Sequence, residues 1–204
     1  MSEKEEALQY LSAIKSVLVD KDSFFPYNYN ALILWGIIGI IMTLFIGVIY
    51  KDSVLYGTVF SIILIVIGLV VEGFLTKKIN ADYDIDDCTK RQKFIAVLLT
   101  SLTLFAIAMS ALLAKFDLII PIYILWIFLM GAGHYSIGFV LNIKLFTFSA
   151  YLKMTVSTLL MVGVYFIDDL GDIDSAFFYF VQGISFALLG VVPIMIGRKL
   201  KKEA

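Results

Sequence analysis

The sequence predicts an all-α integral membrane protein, a six-helix transmembrane bundle with an N-terminal amphipathic helix at the cytoplasmic face. Three observations carry that expectation. Of the 204 residues, 61% are hydrophobic and 16% charged, against about 45–50% apolar and about 25% charged in a soluble domain. So little polar surface would not cover the core that so much apolar surface implies. The apolar residues fall in runs of about 20, the length that crosses a bilayer as a helix. The basic residues are segregated between the connecting segments.

Residues 1–29 form the first unit and residues 30–204 the transmembrane one. Ser2-x-x-Glu5 fits a capping box. Leu8, Leu11, Ile14, Val17 and Leu18 then make an apolar stripe at helical spacing. An interfacial helix on the inner leaflet is one reading; a docking helix for a protein partner, through residues 1–22, is the other. Glu3, Glu5 and Glu6 beside Lys4 and Lys15 argue against simple attraction to anionic lipid. The first 23 residues lack the apolar core and cleavage site of a signal peptide, so the first span is expected to direct its own insertion.

The spans are expected at about residues 31–50, 53–75, 94–114, 118–143, 147–167 and 175–197. Glu72 interrupts the second and Lys153 the fifth. Lys51-Asp52 and Lys115-Phe116-Asp117 are such short links that they force antiparallel neighbours, and the spans read as three hairpins. Pro121 belongs in the first turn of its helix, where a missing N–H is harmless. Pro193 is expected to kink the last span. Tyr27, Tyr29, Tyr50, Tyr56, Tyr165, Phe177, Phe178 and Tyr179 lie near span ends, as an interfacial aromatic belt would.

With the N-terminus inside, 14 of the 16 basic residues fall in inner segments, leaving Lys51 and Lys115 outside. That asymmetry follows the positive-inside rule and supports six spans with both termini cytoplasmic.

An ionisable side chain at the centre of a membrane helix costs about 2.5–3.5 kcal/mol on insertion scales, so each one is a functional candidate. At a rise of 1.5 Å per residue, Glu72 lies about 5 Å, Lys153 about 9 Å and His134 about 13 Å from the inner ends of their spans. All three occupy the inner half, where they would form a ligand or proton path with Tyr135 and Gln182. Competing readings are plainer: Glu72 as a hydrated interfacial carboxylate, Lys153 snorkelling to the surface, and His134 hydrogen-bonded across a close helix contact. Gly131-Ala132-Gly133-His134 supplies the small residues for that contact.

Asp82-x-Asp84-x-Asp86-Asp87 begins like a calcium loop but lacks the sixth-position glycine and has Lys93 where the bidentate glutamate belongs. It reads as a solvated linker. Asp168-Asp169-x-x-Asp172 has the spacing of a diphosphate–magnesium motif, yet it falls on the outer face with no second acidic motif beside it. A polar outer loop is the simpler reading. No Walker A, dinucleotide loop, H-E-x-x-H or G-x-S-x-G is present, no nucleic-acid patch is visible, and no cofactor is expected. Cys88, the single cysteine, excludes an intrachain disulfide.

The segment Glu6-Ala7-Leu8-Gln9-Tyr10-Leu11-x-x-Ile14-Lys15, a Pro/Tyr-rich break, six close spans and the tail Gly197-Arg198-Lys199-Leu200-Lys201-Lys202 together resemble a group of small six-helix bacterial inner-membrane proteins. The resemblance implies a bacterial plasma (inner) membrane location and an accessory or regulatory role, and it brings no catalytic residues. Three function classes follow. A non-enzymatic regulatory or accessory component is the first expectation, with the lipid bilayer and a protein bound at residues 1–22 as partners. A small transporter or channel using Glu72, His134 and Lys153 is the second. A metal-dependent intramembrane enzyme using Asp168, Asp169 and Asp172 is the third. Gly183-x-x-x-Ala187 also permits a homodimer.

Overall fold

The six apolar runs form six long helices in the computed structural model, which describes residues 27–82 and 89–203. The N-terminal amphipathic stripe and most of the acidic stretch 82–87 lie outside the described residues. Among those residues there is no strand. The helices are α1 (Tyr29–Asp52), α2 (Val54–Asp82), α3 (Lys90–Lys115), α4 (Ile119–Leu141) and α5 (Lys144–Val164). The sixth span is α6 (Ala176–Ser185), a π-helical stretch (Phe186–Val191) and α7 (Val192–Glu203). Their length and apolarity make the chain a polytopic membrane protein.

Local chemistry explains the ends. The Asn28 side chain caps α1 by accepting from Asn30 N–H, 2.9 Å. Helix α2 runs seven residues beyond the expected span, to Asp82, because hydropathy marks where a helix leaves lipid, not where it stops. Asn80 on that extension exchanges two side-chain hydrogen bonds with Gln92, 2.8 and 3.2 Å. Gln92 also completes a capping box with Thr89 at the start of α3. The α3–α4 turn has Asp117 at φ 58° and the α4–α5 turn Asn142 at φ 53°, and Asp and Asn are the non-glycine residues that tolerate this left-handed region best.

The spans do not simply pack in sequential pairs. Helix α1 packs on α2 and α3 on α4, but the most extensive contact is between α4 and α5. The sixth span lies mainly along α1 and barely touches α5. Small residues set both close contacts. A methyl group on Gly131 would lie 2.9 Å from Met154 Cγ and 3.3 Å from the Ala150 carbonyl on α5. A methyl on Gly39 would run into the Leu189 carbonyl of the π stretch. Pro193, four residues after Leu189, has no N–H to give that carbonyl. The expected disturbance at Pro193 therefore takes the form of a π turn immediately before it, with the carbonyl turned against α1.

The core is centred on α4, with Ile120, Tyr123, Ile124 and Ile127 at 2% exposure or less. Helix α2 turns a broad apolar face outward, including Leu55, Ile63, Val66 and Val70, which suits lipid contact. The aromatic belt divides. Tyr56, Tyr165 and Tyr179 are exposed, whereas Tyr50 and Phe178 are buried. The Tyr50 ring lies against Gly57 and Phe178 stacks edge-on to Tyr123, so both belong to the core.

Candidate functional site

Lys153 and His134 meet in the α4–α5 contact. His134 shares a face of α4 with Gly131 and Gly138, the positions where α5 approaches most closely. Lys153 shares a face of α5 with Phe146, Ser149, Ala150 and Ser157, all buried. The Lys153 Nζ lies 3.3 Å from His134 Nδ1 and 3.4 Å from Nε2. The Ser149 hydroxyl lies 3.2 Å from the same Nδ1, and Phe146 meets the imidazole edge-on, with centroids 5.5 Å apart.

Lys153 is 1% exposed and His134 6%. Snorkelling, the plain reading for Lys153, is therefore not what the side chain does: it turns inward to the imidazole. Among the described residues no carboxylate pairs with it.

The pair faces a cavity of about 60 Å³ between α1, α2, α4, α5 and the sixth span. Its walls are mostly apolar, from Ile38, Met42, Ile65, Met130 and Leu189, and both tryptophans of the chain, Trp35 and Trp126, line it. Trp126 Nε1 donates to Ser110 Oγ on α3, 3.0 Å.

A second polar group lines the same cavity through Thr43 and Tyr123. The Tyr123 hydroxyl accepts from Gly47 N–H and donates to the Thr43 carbonyl, both 3.1 Å. An α-helix pairs those two backbone groups with each other. Gln182 on α6 donates to the same Thr43 carbonyl, 3.0 Å.

The other candidates are distributed. Glu72 accepts from Trp35 Nε1, 2.7 Å, so it touches the cavity through the indole and not through Lys153 or His134. Tyr135 is 41% exposed and stacks on Tyr151, away from the pair. Outside the spans, burial pushes the Tyr27 phenol above its ordinary range, and the Glu72 carboxylate and Tyr29 act in the same direction.

The aspartates expected on the outer face are engaged in their own loop. Asp169 Oδ1 accepts from Gly171 N–H and Asp172 Oδ1 from Asp174 N–H, each 2.9 Å. The loop rests on the α3–α4 turn through Ile120 N–H to the Leu170 carbonyl, 3.0 Å. Beside it, both Asp117 oxygens lie 2.8 Å from Lys51 Nζ. No three metal-ligating side chains converge among the described residues.

Sequence reasoning passed over Thr43, Tyr123, Trp35 and Ser149. A usable signal existed for Tyr123: it lies inside an apolar run, and a buried tyrosine hydroxyl needs a partner. Thr43 gave none, because its contribution is a backbone carbonyl. In comparison with known proteins, no family model, curated protein or solved structure matches this chain.

Proposed function

We propose that this protein is a small transporter of the plasma membrane, with both termini cytoplasmic and the cavity beside Lys153 and His134 as its solute site. The observation that carries the reading is the buried Lys153, held against His134 with no carboxylate partner among the described residues. A purely structural position would be filled more favourably by an apolar side chain of similar volume. An ionisable amine kept in a membrane bundle at that cost marks a solute or proton pathway. Mostly apolar walls with a few convergent polar groups are also the usual composition of a ligand site. Glu72, held by Trp35, belongs to the rim of this path. The accessory reading depends on residues 1–22, which lie outside the described residues, so no contact in the bundle speaks for it.

The test is whether water-borne solutes reach the cavity. In a Cys88→Ser background, Met130→Cys places one thiol in its wall. A small, charged methanethiosulfonate reagent should label that thiol in sealed membrane vesicles, from the cytoplasmic side. A thiol that reacts only after denaturation would reject the transporter reading.

A further inference from the structure

We infer that the cavity takes a small monovalent organic acid anion, with its carboxylate on Lys153 and His134 and its short apolar body between α1 and α4. This rests on the solute-site reading above and adds the class of ligand.

Charge comes first. Lys153 is 1% exposed and offers N–H donors, with no carboxylate beside it among the described residues. The site thus holds a donor group that an anion completes and a cation opposes. The Glu72 carboxylate is engaged by Trp35, 2.7 Å away, and stands apart from the pair. The polar groups across the cavity are already matched, since Tyr123, Thr43, Gly47 and Gln182 bond to one another.

Valence and polarity follow from the walls. One ammonium cancels one negative charge. A divalent or heavily hydroxylated anion would bring further oxygens against Ile38, Met42 and Ile65 with nothing to bond them. Size follows from volume. The cavity is about 60 Å³, well below the roughly 150 Å³ of an engineered cavity that binds benzene. A ligand of a few heavy atoms fits, which points to short-chain monocarboxylates.

Trp35 and Trp126 are the only tryptophans and both line the cavity, so intrinsic fluorescence reads it directly. Purified full-length protein in nanodiscs is titrated with sodium propionate, propionamide, propylammonium and sodium nitrate. The expected result is a saturable propionate response, with propionamide weaker by about tenfold or more, the usual worth of a charge-assisted hydrogen bond. Nitrate, lacking the apolar body, is also weaker, and propylammonium gives no response. Lys153→Met abolishes the propionate response while its thermal unfolding remains cooperative.

Equal responses to propionate and propionamide would overturn the inference, as would a propionate response that survives in Lys153→Met. Nitrate binding as well as propionate would overturn the assignment of an organic anion. Labelling of Met130→Cys separates the two levels. A cavity that labels but shows no saturable propionate response rejects the ligand class and leaves the transporter reading standing. A cavity that never labels rejects the transporter reading itself.

Discussion

The hydroxyl of Tyr123 on the fourth span donates to the Thr43 carbonyl on the first, 3.1 Å away. It also accepts from Gly47 N–H, so a side chain from α4 bonds a carbonyl and an amide that lie four residues apart in α1. The edge-on contact between Tyr123 and Phe178 fixes the ring from the side of α6. Three spans are thereby tied at one point on the wall of the cavity.

Removing that hydroxyl should cost little stability. In Tyr123→Phe, Thr43 and Gly47 can pair with each other, so no buried backbone group is orphaned. The expected loss is about 0.5–1.5 kcal/mol, the net worth of an ordinary intramolecular hydrogen bond. Thermal unfolding in detergent measures it. Hydrogen exchange at Gly47 should stay slow, because the Thr43 carbonyl remains in place as its helical acceptor. Faster exchange there would show that the hydroxyl supports the helix.

The spans were legible because lipid imposes a length and an apolarity that no soluble helix needs. Their neighbours were not. The sixth span's preference for α1 depends on Gly39 meeting the Leu189 carbonyl and on the π turn ahead of Pro193, and neither follows from hydropathy. The three ionisable residues of the spans were visible as exceptions, but their partners were not. His134 and Lys153 meet because Gly131 and Gly138 let two helices approach. Glu72 goes to Trp35 because the indole N–H is within reach. The aspartates of the 168–174 loop were visible by their spacing, but their hydrogen bonds were not. Two of them close turns within their own loop.

The contact at Gly39 makes a prediction about packing. A valine there would drive side-chain atoms into the Leu189 carbonyl, and that backbone is held against α1 by the π turn. Overpacking of this kind costs about 1–3 kcal/mol. Gly73 is the control, because a methyl there meets nothing within 4 Å. Gly73→Ala should gain up to about 1 kcal/mol from helix propensity. Urea or heat unfolding of the two variants should shift in opposite directions.

Tyr27 supplies a prediction about pH. Its phenol is raised above the ordinary value of 10.0, by burial first and by the Glu72 charge second. A group whose value rises on folding favours the folded state fully below its unfolded value, and that contribution is lost as pH climbs through the raised one. Tyr27 in the native protein should therefore release its phenolic proton above the ordinary tyrosine value. Stability should begin to fall above about pH 10. Phenolate absorbance during alkaline titration, compared between the parent and Tyr27→Phe, checks the first statement. An early Tyr27 step at its ordinary value would refute it.

Lys153→Met should separate stability from function. An ammonium within the bundle costs about 2.5–3.5 kcal/mol by insertion scales, and its hydrogen bond to His134 returns about 1 kcal/mol. Methionine matches the length of the stem and fills the same space without charge. His134 keeps the Ser149 hydroxyl, 3.2 Å from Nδ1, so the substitution leaves the imidazole partnered. The variant is expected to unfold at higher temperature than the parent, by a net gain of about 1.5–2.5 kcal/mol, and to lose the propionate-dependent tryptophan signal. Lys153→Ala provides a comparison: it removes the charge but enlarges the cavity, and a cavity costs stability in proportion to its volume. Its melting temperature should lie below that of Lys153→Met, with the signal lost in both. A Met variant less stable than the parent would mean that the Lys153–His134 contact holds α4 to α5 more strongly than its burial opposes it, and the case for a site maintained against stability would fail.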